Sequence, residues 1–240
     1  MGQALRGAGK RIQEVFGING RDIVTRLIIV RHAESAYNIQ NRIQGHQDSH
    51  LTRKGLEQAR RLAKRIRHFK IDKVYSSDLG RAYSTTVEIT RYLPKVKIIR
   101  DPKLREILLG DWEGMTPEEV DKLYDRGYQK WHRKPSAMVI PNAERIGRFR
   151  KRVTARLRQI ARQDRGKTVL VVTHGGVITA ILADWLKADF DQVLKGLQID
   201  NTSLTFAAVT KKLARLWVIN DTDHLAKKEK NDQRFIHKHS

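Results

Sequence analysis

Two histidines of this 240-residue chain stand where chemistry could be done. The first follows Leu27-Ile28-Ile29-Val30 as Arg31-His32, with the small and polar Ala33-Glu34-Ser35 beyond it. The second follows Val169-Leu170-Val171-Val172-Thr173 as His174, with Gly175-Gly176 beyond it. A short apolar run that stops so abruptly reads as a buried strand. In open α/β sheets ligands bind outside the carboxyl ends of the strands, so both imidazoles would stand at that edge. An Arg-His pair there could hold a phosphate and offer it a nucleophile. The glycines would let the backbone come close to a ligand, and the helix start after them would aim free N–H groups at an anion. One strand-end histidine is as readily structural as functional. Two, on two strands of the same kind, point to function.

The elements that must position these residues alternate along the chain. Strands are expected over residues 25–30, 73–76, 97–100, 168–173, 203–209 and 215–220. Helices are expected over 52–69, 80–92, 117–126, 143–163, 177–186 and 190–195. Such alternation predicts the α/β class: a three-layer α/β/α sandwich around a mostly parallel sheet of about six strands. The last two strands are joined by the short Thr210-Lys211-Lys212 turn, which cannot make a parallel crossover, so one strand must run antiparallel. Residues 102–142 break the rhythm, holding every proline except Pro94 together with Trp112 and Trp131. They read as a cap inserted over the site. The expected organisation is an N-terminal extension over 1–24, a catalytic unit over 25–225 and a polar tail over 226–240. A short helix is expected around Ile12 to Phe16.

Composition narrows the class. There is no cysteine, which excludes disulfides and thiol catalysis. No apolar run approaches the ~18 residues of a membrane span. The first residues lack a continuous apolar stretch or a small-residue cleavage site, so a secretory signal is not expected and a cytoplasmic setting is. The formal net charge is +22, and residues 53–70 and 145–167 together contribute +16 of it. Both segments carry helical apolar stripes, which predicts amphipathic helices with basic outer faces. A positive field would steer phosphorylated substrates. Nucleic acid stays open as a minor alternative partner, a membrane does not, and monomer and dimer both remain open.

Several ordered motifs extend the Arg31-His32 and His174 segments. They are Asn38, Gln44-Gly45 with Asp48, Leu51-Thr52, Gly55, and Gln58-Ala59. Next come the run from Ser76 to Ala82 containing Arg81, then Thr85-Thr86, then the run from Leu104 to Gly114 containing Glu106, and finally Asn201-Thr202-Ser203. In this order they resemble the histidine phosphatase superfamily, also called the phosphoglycerate mutase-like family, over about residues 26–225. The run from Leu104 to Gly114 is similar to its phosphatase branch.

The resemblance implies roles. His32 would be the nucleophile, forming a phosphohistidine. Arg31, Arg81 and His174 would stabilise the transferring phosphoryl group, and Glu106 would be the general acid, with burial beside Leu108 or Trp112 keeping it protonated. Asn38, Gln44, Gly45 and Gly175 would bind substrate. No metal or other cofactor would be required, because phosphoryl transfer rests on positioning and charge stabilisation. The paired histidines of the stretch from His46 to His50 read as incidental loop residues rather than metal ligands. Ala33 stands where the family usually has Gly, and Arg145 where a small hydroxyl is usual. Arg145 could recruit a second anionic group of the substrate or merely add surface charge. The expected activity is that of a phosphomonoesterase acting on a small phosphorylated metabolite. A cofactor-dependent phosphoglycerate mutase is the alternative, and a non-catalytic basic binding protein a third class.

Overall fold

The computed structural model describes residues 24–93, 96–210 and 213–226. Six strands form one sheet: β1 (Thr25–Arg31), β2 (Lys73–Ser76), β3 (Ile98–Arg100), β4 (Thr168–Thr173), β5 (Leu204–Val209) and β6 (Ala214–Asp221). Their spatial order is β3-β2-β4-β1-β5-β6. The first four in that order pair parallel, and β5 runs antiparallel to both β1 and β6. The expected class, sheet and single antiparallel strand are all observed. The helices are α1 (Ala36–Ile39), α2 (Arg53–Ile66), α3 (Gly80–Thr90), α4 (Pro117–Leu123), α5 (Gly127–Arg133), α6 (Ile146–Gln163), α7 (Gly175–Leu186) and α8 (Phe190–Gly196). α1 and α5 were not expected. The expected helix near Ile12 and most of both terminal segments lie outside the described residues. No described helix is long and apolar enough to cross a membrane.

Successive strand residues face opposite sides, so one strand feeds two cores. Leu27 and Ile29 pack with Phe149, Val153 and Leu157 of α6 and with Val177, Ile178 and Ile181 of α7. Ile28 and Val30 pack with Leu62, Ala63 and Ile66 of α2 and with Ile89 of α3. This explains why the middle residues of β1 and β4 are apolar without alternating. It also places the site. Neighbouring strands β1 and β4 send their following helices to opposite faces of the sheet, and a crevice opens where the chain diverges.

Between β3 and α6 the chain adds no strand. It forms α4, α5 and short 3-10 turns around a satellite core of Trp112, Val120 and Ile140. Thr116 and Glu119 close a capping box at the start of α4, with Pro117 in the first turn, where a helix over 117–126 was expected.

The basic helices differ from a plain solvated face. Arg60 pairs with Glu88 and Arg65 with Asp221, while Arg152 pairs with Glu144, Arg156 with Asp101 and Arg158 with Asp184. Cations clustered in sequence meet carboxylates scattered elsewhere in the chain.

Candidate active site

β1 and β4 lie in register with Arg31 opposite Thr173, so the next residue on each strand is a histidine. The His32 N–H donates to Thr173 O at 2.8 Å, and the two imidazoles lie 5.2 Å apart between ring centroids. His32 is 3% exposed and His174 0%. The His32 Nδ1 sits 2.8 Å from Ala33 O; a carbonyl can only accept, so Nδ1 carries the proton and Nε2 keeps its lone pair. Burial, with Arg81 and Arg31 adding to it, pushes His32 well below the usual histidine range despite the bond to Ala33. Its ring is therefore neutral at physiological pH, as a nucleophile must be. Ala33 fits in place of glycine because its backbone is not left-handed, and its N–H donates to Thr85 Oγ1 at 3.0 Å.

His174 is held from the other side. Its Nε2 meets Ser77 Oγ at 2.8 Å, and burial followed by Arg81 holds it well below the usual range. His174 Nδ1 is left without a protein partner. The same is true of Nε of Arg31 and Nε of Arg81. Arg81, 1% exposed, is fixed by bonds to Gly45 O and Gln47 O, each 2.8 Å, and Arg31 by one to Ile199 O. Asp48 receives the N–H groups of Gly80 and Arg81, anchoring the start of α3 that carries Arg81. Three buried nitrogens, two of them arginine N–H donors, thus lack protein partners beside a neutral imidazole. Such groups are costly to bury unless something pairs with them, and an anion would.

Glu106 is half-buried and set otherwise than expected. Trp112 packs edge-on against Trp131 and Tyr124 in the satellite core, and the Glu106 carboxylate accepts backbone N–H bonds from Ile107 and Gly176, each 2.9 Å. Gly176 has a reason beyond ligand approach: a Cβ there would run into the Glu106 carboxylate. The backbone of Glu106 is clamped as well. His46 Nε2 donates to Glu106 O at 2.9 Å, so this histidine is not incidental. Arg152 donates to the carbonyls of Lys103, Arg105 and Glu106 while forking onto both oxygens of Glu144. Sequence reasoning missed Arg152, Ser77 and His46 in these places; one arginine among the ten cations of residues 145–167 carries no local signal.

A cavity of about 480 Å³ joins these groups. Arg31, His32, Gln44, Gly45, Arg81, Glu106 and Gly175 all line it, while His174 lies just behind. Asn38 is not among the lining residues. Its Oδ1 accepts from Ser35 N and lies 3.3 Å from Asn201 Nδ2, which braces the loop after His32. Gly45 has φ +51°, and a side chain there would strike Glu113, whose carboxylate receives the N–H groups of His46, Gln47 and Leu109. Arg145 is exposed and outside the lining. Among the described residues no group of three or more His, Cys, Asp or Glu could hold a metal ion.

The model of the histidine phosphatase superfamily, branch 1, matches residues 27–222. The chain belongs to that family. This histidine phosphatase is 30% identical over 202 residues to phosphoserine phosphatase 1 of Hydrogenobacter thermophilus, covering 84% of this chain and 95% of that protein. It is 36% identical over 157 residues to phosphoglycerate mutase-like protein 4 of Arabidopsis thaliana, covering 65% and 68%. Among solved structures, YhfR of Bacillus stearothermophilus superposes with a TM-score of 0.80 at 32% identity, covering 83% of this chain and 98% of that one. The chain is an enzyme of the histidine phosphatase type.

Proposed function

We propose that this enzyme hydrolyses a small phosphorylated metabolite through a phosphohistidine on His32. The reading rests on the three unpartnered buried nitrogens, of Arg31, Arg81 and His174, that surround the neutral His32 ring. His32 Nε2 attacks phosphorus as the ester P–O bond breaks, and Glu106 gives its proton to the departing alkoxide. A water then attacks the phosphohistidine and yields its proton to Glu106, releasing inorganic phosphate and the free imidazole. The arginine forks match the phosphoryl oxygens and need no reorganisation as charge shifts among them. Gln44, Gly45 and Gly175 border the substrate, and residues 102–142 act as the cap. No resident metal or cofactor enters this scheme.

The mutase-like relative supplies the second reading, in which a bisphosphate primer loads His32, the phosphohistidine gives its phosphoryl group to the free hydroxyl of a phosphoglycerate, and His32 then takes back the group on the other hydroxyl. Two assays separate them: release of phosphate from p-nitrophenyl phosphate, and isomerisation of 3-phosphoglycerate in the presence of its bisphosphate. Hydrolysis without isomerisation is the expected result. Isomerisation faster than hydrolysis would establish the mutase.

A further inference from the structure

Beyond the phosphoryl site the cavity continues into a wall that the proposed chemistry does not use. Leu109, Tyr128, Trp131, Phe190, Leu194 and Leu197 line it. This wall is braced from behind: Trp131 meets Trp112 edge-on with centroids 6.2 Å apart, and Arg150 stacks over Phe190 at 5.2 Å. A volume of about 480 Å³ lies in the range that encloses a drug-sized ligand. That is far more than a phosphoryl group on a three-carbon amino or hydroxy acid would fill.

The charges along this space are one-sided. Among its described lining residues Glu106 is the single carboxylate, and both its oxygens already accept backbone N–H groups. A substrate ammonium would find no second carboxylate in the lining and would sit near Arg31 and Lys195, with Arg42 and Arg81 already paired to Glu119 and Asp48 behind it. The ammonium of phosphoserine meets like charge there and an apolar wall that gives it no acceptor to replace lost water. An apolar ring or chain meets no such cost and gains by leaving water.

Resting on the phosphatase reading, we propose that this site takes phosphomonoesters of bulky apolar alcohols, aromatic ones foremost, in preference to phosphoserine. Its selectivity thus differs from what the names of several relatives say of those proteins.

The test compares two alkyl esters, 2-phenylethyl phosphate and O-phosphoserine, and two aryl esters of similar leaving-group acidity, 1-naphthyl and phenyl phosphate. The expected kcat/KM is roughly 100-fold higher for 2-phenylethyl phosphate than for phosphoserine, and roughly tenfold higher for the naphthyl than for the phenyl ester. Trp131→Ala and, separately, Leu194→Glu should each shrink the first ratio about tenfold, the latter by giving an ammonium its partner. Phosphoserine turned over as well as or better than 2-phenylethyl phosphate overturns the proposal while leaving the phosphatase reading intact. A ratio that neither variant alters also overturns it. Turnover of none of the four esters, with no phosphohistidine on His32, overturns the phosphatase reading and this proposal together.

Discussion

The two edges of the one sheet treat buried polar groups in opposite ways. At the amino-terminal edge Asp164 is fully buried, yet it binds Lys73 Nζ at 2.7 Å and accepts from the Tyr75 hydroxyl at 2.8 Å. Nearby, Thr25 donates to Ala161 O at 2.6 Å, and Arg26 reaches Thr168 Oγ1 at 2.9 Å. At the carboxyl-terminal edge Arg31, Arg81 and His174 each keep one buried nitrogen without a protein partner. A matched network rigidifies a fold, whereas unmatched donors lower stability unless a ligand completes them. The difference separates an edge whose buried polar groups are paired within the fold from one that leaves nitrogens open to a ligand. Desolvation works to different ends too: it keeps His32 and His174 neutral, while at Asp164 it is outweighed by Lys73 and Tyr75, which hold that carboxyl below its ordinary range.

Substitutions at the two edges should therefore separate activity from stability. The largest effect is expected for His32→Ala, which should lower kcat by at least about 10⁴-fold and abolish the acid-labile phosphoprotein seen after rapid quench with a ³²P-labelled ester. Retained phosphoprotein would remove His32 from the nucleophile's role. Glu106→Gln should slow alkyl phosphates about 10²-fold while slowing p-nitrophenyl phosphate little, because p-nitrophenolate leaves without a proton. Equal losses on both would take the acid role from Glu106. Gly176→Ala and Arg152→Met should reproduce that leaving-group pattern at about tenfold, since one displaces the carboxylate and the other unclamps its backbone. At the opposite edge, Asp164→Asn should cost about 2 kcal/mol of unfolding free energy, read from denaturant midpoints, with kcat within about twofold of the parent. A large kcat loss there would erase the contrast between the edges.

The smallest expected effect concerns pH. His224, beside Thr202 under the loop carrying His32, is pushed down to about 4, chiefly by burial and then by Arg65. The unfolded chain, with an ordinary histidine, binds this proton near pH 6.5, while the folded one resists it until about pH 4. Stability from this group is thus present above pH 6.5 and lost as pH falls toward 4. His224→Gln should spare about 1 kcal/mol of the loss between pH 7 and 5, after a discount for partial exposure. An unchanged loss would mean that His32 and His174 account for the acid sensitivity.

Much of this was legible along the chain. The β1 and β4 runs are apolar on both faces, so their strand character and the break at His32 and His174 were local facts. Arg81 was readable through the family resemblance of the run from Ser76 to Ala82. Trp112, by contrast, looked like a neighbour for Glu106 because it is near in sequence, and it turned into a separate core. Asn38, expected to bind substrate, has its Oδ1 engaged by its own loop, a contact the sequence did not show. The basic runs looked like solvated faces, since their carboxylate partners come from other segments. α5 escaped notice because it starts at Gly127, directly after two left-handed residues, without a capping side chain.

By itself the sequence determined the strands, the order of the motifs and the residue types gathered at one sheet edge, because period and residue type are properties of neighbours in the chain. Tertiary structure alone decided how Glu106 is held. Its carboxylate meets Gly176 across 70 residues, and its carbonyl meets His46 across 60 and Arg152 across 46. It also decided which donors stay unpaired and what kind of wall faces the phosphoryl site. Those properties are relations in space between distant segments, set by how helices on opposite faces of a twisted sheet close around a crevice, and no local pattern encodes them.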